Sequence, residues 1–573
     1  MDKVETQLPR PALILVALIQ GLALLILHVT VEEGLWLDQH PAWLYSLYAA
    51  ALIGPLMLLL SLEQNRQWPK ILSWVAPFTL VCTLLGFYTG KQAFAESHLS
   101  NQVVWFPLII TLSVATFKAL MYIQHRASGQ PLQYSFLFLF SWRNFLTFGL
   151  ALLFTLAVWG ILMLWGGLFR AINIRFFMDM FTEPWFYYPI LSLANGFGVI
   201  IFRNQTRVID TITRILQALM KFLLVFLVLV SMLFLLALIF TGLSPLWDTG
   251  YGSTLILWMQ GLLLFFLNAV YQDDPNNRPY PTLIHRFIYV GIALLPIYGV
   301  IVFYGLWLRV EQYGWTPARC WGFVLWFFFA LFSLGYLWGI IKQRDNWLWH
   351  LSWVNVRAGL IVLLVMLLVN SPLLDFRKIT IASQLNRLES GAVTSEEFDI
   401  RFFRYQLARP GRLALEQLKT ELADSNPQVV KEIESLYLSY TEEPQAPSEE
   451  EFLSSLTSFG NGAIPPSLET FLYDYTQNNR WRFGIGAENY LVQVDLDSNG
   501  QDDYLLLQER YNAIYCTLFF RTIDGWNTVE MGTQAFYSNS NRPLAELLAE
   551  RKWQLLPNRW QAFDLDGLVF RTQ

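Results

Sequence analysis

The stretch Gly359–Leu374 reads GLIVLLVMLLVNSPLL and is followed at once by the polar run DFRKITIASQ at 375–384. Most of the sequence before this junction is hydrophobic enough for a membrane, whereas the sequence after it has the composition of a soluble protein. A spanning helix needs about 20 mostly apolar residues. The junction therefore predicts a membrane half followed by a soluble half.

Composition and charge divide the chain at the same place. The 573 residues are 54% hydrophobic and 14% charged, whereas a soluble protein carries about 25% charged residues. Met1–Leu374 holds 21 Lys and Arg against 15 Asp and Glu, and Asp375–Gln573 holds 18 against 29. A basic membrane half is thus joined to an acidic soluble half. The acidic half argues against nucleic acid as a partner.

Eleven apolar runs of spanning length precede or include the junction. The predicted helices are Pro11–Thr30, Ala42–Leu62, Ile71–Gly90, Val103–Ile123, Phe145–Leu168, Trp185–Phe202, Phe222–Gly242, Thr254–Val270, Phe287–Leu308, Trp321–Ile341 and Gly359–Leu374. The first run has no small-residue cleavage site, so we interpret it as a retained helix. The basic segment from Arg207 to Leu216 has helical spacing and is predicted to lie along the inner leaflet.

The charges of the loops give these helices a direction. With the N-terminus in the cytoplasm, the inside segments hold fifteen Lys and Arg and the outside segments hold five. Such a bias follows the positive-inside rule. It predicts a multi-pass membrane protein with the C-terminal half outside, which in a Gram-negative bacterium means helices in the inner membrane and this half in the periplasm.

The soluble half changes from helical to strand-like periodicity along its length. Predicted helices are Ile379–Leu388, Glu396–Leu407, Arg412–Leu422, Gln428–Ser439, Glu451–Ser458 and Ser467–Asn478, and predicted strands are Tyr490–Asp495, Asp503–Leu507, Ala513–Phe520 and Thr528–Met531. The predicted fold is a membrane all-α helix bundle of about eleven transmembrane helices followed by a soluble α+β periplasmic domain. Its parts are a transmembrane domain (1–374), a helical segment just outside the membrane (375–440) and an α+β domain with a strand-rich end (441–573).

Two long stretches carry a resemblance to a known family. One is Leu308–Arg319, LRVEQYGWTPAR, and the other runs from Ile379 through Phe398-Asp399 to Leu415, ending LARPGRLAL. Together with the run YQDD at 271–274, they resemble the polytopic bacterial inner-membrane family catalogued as domain of unknown function 4153. The resemblance covers roughly Met1 to Lys419. It implies a multi-pass inner-membrane protein and supplies no catalytic residues.

An Asp-rich loop lies between the first two predicted strands. Ca²⁺ takes six or more oxygen ligands, often from alternate positions of one tight loop. The candidate ligands are Asp495, Asp497, Asn499, the carbonyl of Gln501, and Asp503. Position twelve is Leu506 where an EF-hand has Glu, and strands flank the loop, so a helical EF-hand is rejected. The alternatives are a shorter Asp-rich calcium loop and a hairpin with a type I′ turn at Asn499-Gly500.

Acidic and histidine side chains gather at the outer end of the first predicted helix: His28, Glu32, Glu33, Asp38 and His40. His28 and Glu32 are four positions apart, so a helix places them on one face. Multi-span membrane glycosyltransferases place a catalytic acid in this first external loop, although their loop is far longer. The alternatives are an enzymatic site and a solvated acidic loop.

Four arginines are predicted on the outside, against the charge rule: Arg170, Arg175, Arg309 and Arg319. They either anchor the protein at the headgroups or gather an anionic headgroup or the acids of the C-terminal domain. Asp273 and Asp274 precede a proline and are interpreted as a turn. The three cysteines, Cys82, Cys320 and Cys516, have no metal or disulfide spacing.

Catalytic motifs and buried charges are scarce in the sequence. It contains no nucleophile elbow, P-loop, Rossmann glycine pattern or HExxH. Lys118 is the one charged residue well within a predicted span, whereas ion-coupled transporters usually bury acids or histidines there. We therefore expect an envelope anchor, interaction or sensing protein that is not an enzyme, with the lipid bilayer, envelope proteins or anionic headgroups as partners. The alternatives are a periplasmic-face enzyme acting on a lipid-linked substrate and a carrier for lipid or a neutral solute.

Overall fold

A computed structural model describes residues 8–64, 67–95, 101–129, 132–271, 279–395, 397–423, 426–441, 449–460, 464–478, 488–496, 499–510, 513–522, 525–531, 548–549, 563–565 and 568–570. The chain divides into two compact units, Met1–Val430 and Lys431–Gln573.

The first unit is helical throughout its described residues. Its helices are α1 (Arg10–Glu32), α2 (Pro41–Ser61), α3 (Trp68–Gly90), α4 (Gln102–Ser128), α5 (Tyr134–Ala171), α6 (Phe176–Thr182), α7 (Pro184–Asn204), α8 (Thr206–Thr241), α9 (Ser244–Asp248), α10 (Gly252–Val270), α11 (Thr282–Ala293), α12 (Leu295–Tyr313), α13 (Pro317–Gln343), α14 (Leu348–Leu368), α15 (Phe376–Glu389), α16 (Ile400–Gln406) and α17 (Ala408–Leu422).

Eleven helical segments of the described chain are long and apolar enough to cross a membrane, which agrees with the predicted number. Their outward surface is apolar: Ile239, Phe240 and Leu283 are 77%, 81% and 82% exposed. Apolar side chains this exposed over so many helices are typical of a surface that contacts lipid. The protein is therefore a multi-pass membrane protein.

The last span differs from its predicted limits. Helix α14 begins at Leu348, eleven residues before the predicted Gly359, and ends at Leu368. A short 3₁₀ turn at Pro372–Leu374 occupies the end of the predicted span. The sequence prediction was wrong because Arg357 suggested a loop, whereas its guanidinium lies 4.1 Å from the centre of the Trp353 ring within the helix.

Two other helices are longer than predicted. The basic segment at 207–216 was predicted to be a separate surface helix, but it is continuous with the next span in the 36-residue α8. At 1.5 Å per residue, α8 is about 54 Å long. No Gly or Pro interrupts 206–241, so nothing in the sequence ends the helix. Helix α5 similarly takes in the apolar run Phe136–Phe140.

Buried apolar residues form two large clusters in this unit. One lies among α1–α4 with α5 and α7, around Leu13, Met57 and Ile71. The other lies among α8 and α10–α14, around Leu263, Ile292 and Tyr298. Between these two clusters, α4, α13 and α14 pack against one another through Ala115, Phe328 and Val362.

The second unit contains α18 (Pro427–Thr441, which begins just before its boundary), α19 (Glu449–Ser455), β1 (Leu456–Phe459), α20 (Pro466–Asn478), β2 (Glu488–Val494), β3 (Asp503–Arg510), β4 (Ala513–Thr522), β5 (Gly525–Met531), β6 (Phe563–Leu565) and β7 (Leu568–Phe570). Strands β1–β5 form one sheet in sequence order. β1 pairs parallel to β2, and the other neighbours are antiparallel. The four predicted strands are confirmed, whereas β1, β6 and β7 were missed.

The sheet of the second unit is covered on both faces. Leu491 packs against Phe452, Leu468 and Leu472, which come from α19 and α20. Its neighbours Tyr490 and Val492 point to the other face and pack with Leu548. Successive side chains of a strand point to opposite faces of the sheet. The strands therefore bury apolar side chains on both sides, under α19 and α20 on one face and beside Leu548 on the other.

Candidate functional site

A polar cluster fastens α15 to one end of the helix bundle. It consists of Tyr88 and Gln92 at the end of α3, together with Asp375 and Arg377 at the start of α15, and is called here the Asp375 network. Tyr88 and Gln92 are one helical turn apart, so both side chains reach the same point. The chain returns to this point almost three hundred residues later.

The Asp375 carboxylate lies at the centre of the network and is only 4% exposed. One oxygen, Oδ2, accepts hydrogen bonds of 2.7 Å from the Tyr88 hydroxyl and from Gln92 Nε2. The other, Oδ1, accepts the Arg377 backbone N–H at 3.0 Å and so caps α15. The buried charge is therefore held by three donors, as a buried carboxylate requires.

Arg377 carries the opposite charge and joins α15 to two further elements. Its Nη1 donates to Gln92 Oε1 and its Nη2 to the Val103 carbonyl oxygen in α4, both at 2.7 Å. Burial lowers the pKa of Arg377 from its ordinary value, and the negative charge of Asp375 acts in the opposite direction. Arg377 thus ties α15, α3 and α4 together.

A small polar cavity of about 60 Å³ lies beside the network. Asn370 and Gln406 line it with Asp375 and Arg377, and Asn370 Nδ2 donates to Thr111 Oγ1 at 2.7 Å. A water molecule needs about 10–15 Å³ of such volume, whereas ligand sites are usually about 300–1,000 Å³. The cavity therefore has room for water and not for an organic substrate.

The far end of α15 is attached to the turn between α12 and α13. Ser383 Oγ accepts the Trp315 backbone N–H at 3.0 Å, and Gln384 Nε2 donates to the carbonyl oxygens of Tyr313 and Trp315 at 2.9 and 3.0 Å. Gly314 has φ 72°, and a Cβ there would stand 2.8 Å from Gln384 Nε2. Helix α15 therefore crosses the end of the bundle and is fixed at both of its ends.

A large apolar groove lies between α2, α4 and α5 and is called here the membrane groove. Its volume is about 620 Å³. It runs from Leu44 to Leu60 along α2 and from Trp105 to Leu120 along α4, and Asn144 and Phe145 of α5 close one side. Its size falls within the range of ligand sites.

A further polar cluster lies inside the bundle. Asn268, Tyr336 and Asn355 hydrogen-bond one another, and Asn355 Nδ2 donates to Asn268 Oδ1 at 2.5 Å. Near it, the Tyr271 hydroxyl lies 3.0 Å from Nδ1 of the fully buried His285. Each of these groups has a partner, so the cluster is suited to holding helices together.

The structure places the four unusual arginines in two groups. The guanidinium groups of Arg309 and Arg319 lie 5.8 and 5.5 Å from the centre of the Tyr313 ring. Arg319 Nη1 also donates to the Gly314 carbonyl oxygen at 2.6 Å. Arg170 and Arg175, in contrast, lie exposed where α5 passes into α6. Arg309 and Arg319 thus lie beside the attachment of α15.

The acidic cluster after α1 is only partly assembled. His28 Nε2 and Glu32 lie 3.3 Å apart, which confirms that they share a helix face. His40 instead stacks on Trp36 at 4.4 Å and bonds the Trp36 carbonyl oxygen. Among the residues that the structure describes, no three His, Cys, Asp or Glu side chains are arranged to hold a metal ion.

The predicted calcium loop is described in part. Asp495 accepts the backbone N–H groups of Asn499 and Gly500 at 3.2 and 3.0 Å, and Asn499 Oδ1 accepts that of Gln501 at 2.7 Å. Asp503 Oδ2 accepts the Leu496 N–H at 3.0 Å. Asp497 lies outside the described residues, as do Asp273 and Asp274.

Sequence reasoning missed the Asp375 network although it quoted the segment that contains it. The available signal was the pair Tyr88 and Gln92, four positions apart at the polar end of a predicted span, together with an acid directly after the last span. Neither feature indicates that the two lie together until the fold is known.

The family comparison agrees with the resemblance seen in the sequence. A family model described as Domain of unknown function (DUF4153) matches residues 14–418. This range includes all of the spanning helices except the first few residues of α1, and it also includes α15 and α16. No curated protein and no solved structure matches the chain. The chain belongs to the DUF4153 family of membrane proteins.

Proposed function

We propose that this protein is an envelope protein whose helix bundle anchors and presents the C-terminal α+β unit, for interaction or sensing, on the periplasmic side of a bacterial inner membrane. The observation that carries the proposal is the attachment of α15. Because both ends of this helix are fixed, the chain leaves the membrane from a defined point. A loose linker would need no buried ionic network there.

The direction of presentation is supported by the loop charges. On the predicted topology the segments on the N-terminal side hold fourteen basic residues, leaving out Arg357 because it lies inside α14, and the segments on the other side hold five, counted up to Leu374. Such a bias favours a cytoplasmic N-terminus and a periplasmic C-terminal unit. Envelope proteins and anionic headgroups are the partners that this placement makes available.

The enzymatic alternative draws less support. Glu32 is paired with His28, and neither Glu32 nor Asp38 lines the membrane groove. A site for a lipid-linked substrate needs its reacting acid beside the bound lipid. The lipid carrier alternative has one observation in its favour, which is the membrane groove itself.

Single-cysteine labelling tests the direction. One variant is Ser390→Cys, at the end of α15, and the other is Ser128→Cys, at the opposite end of α4. In both, Cys516 is replaced by Ala, and Cys82 and Cys320 are retained because they are buried. A membrane-impermeant thiol reagent on spheroplasts is expected to label Ser390→Cys at once. It is expected to label Ser128→Cys only after permeabilisation. The reverse pattern would overturn the proposed direction.

Release of the C-terminal unit tests the anchoring role. A protease site is inserted between Thr441 and Glu449, and membranes are then treated with that protease. We expect the fragment from residue 449 onwards to leave the membrane fraction, because the spanning helices of the described chain all lie before it. A fragment that stays with washed membranes would contradict anchoring through the bundle.

A further inference from the structure

The membrane groove has the chemistry of a hydrocarbon site. Along α2 it extends from Leu44 to Leu60, which at 1.5 Å per residue is about 24 Å. The hydrocarbon core of a bilayer is about 30 Å thick. The groove therefore follows most of the membrane and lies on helices that face lipid.

Polar groups at the inner end of the groove already have partners. Asn144 and Gln124 exchange hydrogen bonds of 3.0 and 2.7 Å, and Gln124 also donates to the Leu60 carbonyl oxygen at 2.9 Å. A polar solute would find its partners there already occupied. An acyl chain has no need of them.

Three cations, Lys91, Lys378 and Arg409, lie at the end of the bundle where the groove stops at Leu44 and Tyr45, and they are called here the basic rim. Lys91 follows Gly90, where an added Cβ would stand 2.7 Å from Ala42 Cα at the start of α2. Arg409 donates its N–H to the Gln92 carbonyl oxygen at 3.1 Å and its Nη1 to that of Lys91 at 3.4 Å. Lys378 lies 5.7 Å from the centre of the Tyr88 ring.

The backbone beside Arg409 packs close to Tyr45 of the groove lining. Tyr45, which lines the groove, packs against the cluster that contains Ala93 and Ala408. Ala408 has φ 51°, a left-handed conformation that is strained for alanine. The tight turn is completed by Gly411, where a Cβ would overlap the Phe403 carbonyl oxygen. The groove and the rim thus lie at the same end of the bundle and are connected through Tyr45 and Ala408.

The charge of the rim is not balanced within the part of the chain that the structure describes. The three side chains are exposed and form no ion pair with a described carboxylate. The nearest buried acid, Asp375, is occupied by Tyr88, Gln92 and the α15 backbone. Three cations at a lipid interface attract an anionic headgroup.

We propose that the membrane groove holds an acyl chain of an anionic phospholipid whose phosphate lies at the basic rim. The site combines an apolar channel of ligand size with three cations at the end of the bundle where the channel stops, and an anionic phospholipid likewise joins an apolar chain to a charged headgroup. It does not depend on which side of the membrane the rim faces. Its failure would therefore leave the proposed anchoring function untouched.

The test uses the full chain purified into nanodiscs of phosphatidylglycerol and phosphatidylcholine in equal amounts. After transfer to detergent, native mass spectrometry measures which lipids remain bound. The rim variant combines Lys91→Gln with Arg409→Gln and so removes two rim charges. Its charge-matched control combines Arg170→Gln with Arg175→Gln. Leu52→Trp fills the groove, and Leu153→Trp is its control, on an exposed face of α5 outside the lining.

The wild-type protein is expected to retain phosphatidylglycerol preferentially. Each interfacial cation contributes about a fivefold preference, so the double rim variant should lose about thirtyfold. Leu52→Trp should reduce retention of both lipids, and the two control proteins should behave like the wild type. Monodispersity and an unchanged thermal midpoint show that each variant is folded.

Several results would overturn the proposal. One is equal retention of both lipids by the wild type, or an unchanged preference in the rim variant. Another is full retention by Leu52→Trp, since a headgroup site without the groove would remain. Release of the lipid by excess inorganic phosphate would likewise indicate a phosphate site and contradict the acyl-chain site.

Discussion

The Tyr88 hydroxyl donates a 2.7 Å hydrogen bond to Asp375 Oδ2 across a sequence separation of 287 residues. This contact joins the third spanning helix to the helix that follows the last one. It makes α15 a part of the membrane unit and not the first element of the soluble unit.

Removing the guanidinium of Arg377 should weaken this attachment. Arg377→Gln loses the bonds to Gln92 Oε1 and to the Val103 carbonyl oxygen and leaves Asp375 without its neighbouring cation. Hydrogen bonds to charged groups contribute about 1.5–3 kcal/mol each, so we expect a loss of about 2–4 kcal/mol. Denaturant titration of the full chain in detergent measures it. Lys378→Gln, the exposed neighbour, is the control and should change stability by less than about 0.5 kcal/mol.

Close helix packing should make Gly90 intolerant of a side chain. A Cβ there would overlap the Pro41 carbonyl oxygen and stand 2.7 Å from Ala42 Cα, which are backbone atoms that cannot move aside cheaply. Gly90→Ala should cost about 1–3 kcal/mol. Gly149→Ala is the matched control, because nothing lies within 4 Å of its Cβ, and it should gain up to about 1 kcal/mol of helix propensity. Equal thermal midpoints for the two variants would contradict the packing.

Cys516 should make stability depend on alkaline pH. Burial raises the pKa of this thiol from 9.0 to about 11. Between these values the unfolded chain loses the proton while the folded chain keeps it, so stability is unaffected below pH 9 and falls as the pH rises towards about 11. The measurement is the difference in unfolding midpoint between wild type and Cys516→Ala across this range. A difference that does not change with pH would be inconsistent with a buried thiol.

The Asp-rich loop is predicted to bind calcium, and a thermal shift tests this. Calcium at a hundred times the dissociation constant would stabilise the chain by about 2.7 kcal/mol. We expect a higher unfolding midpoint with calcium than with chelator, abolished by Asp495→Asn or Asp503→Asn. Asp502→Asn is the control, since Asp502 lies between the predicted ligand positions. An unshifted wild-type midpoint would dismiss the site.

The spanning helices could be predicted because an apolar run of sufficient length is a local property of the sequence. The ends of these helices were harder to predict, because they depend on contacts of individual side chains. Arg357 lies inside α14, where its guanidinium contacts the Trp353 ring. The basic start of α8 continues into the span because no residue stops it. The local pattern of apolar residues therefore predicts the number of spanning helices but not their full lengths.

The Asp375 network and β1 were beyond sequence reasoning for a different reason. Gln92 and Arg377 are ordinary polar residues until the fold brings them together over 285 positions. Strand β1 has four residues directly after a helix, and its parallel partner β2 lies more than thirty positions away. Short elements stabilised by distant partners carry too little periodicity to be recognised alone.

The most direct test of the α15 attachment is a double-mutant cycle between Tyr88 and Asp375. Tyr88→Phe, Asp375→Asn and the double variant are unfolded by denaturant in detergent, with Tyr251→Phe, an exposed tyrosine, as the control for Tyr88→Phe. The short buried contact predicts a coupling free energy of about 1–3 kcal/mol. If the stability losses of the two single variants sum to the loss of the double variant within about 0.5 kcal/mol, the two side chains are not coupled and the α15 attachment is contradicted.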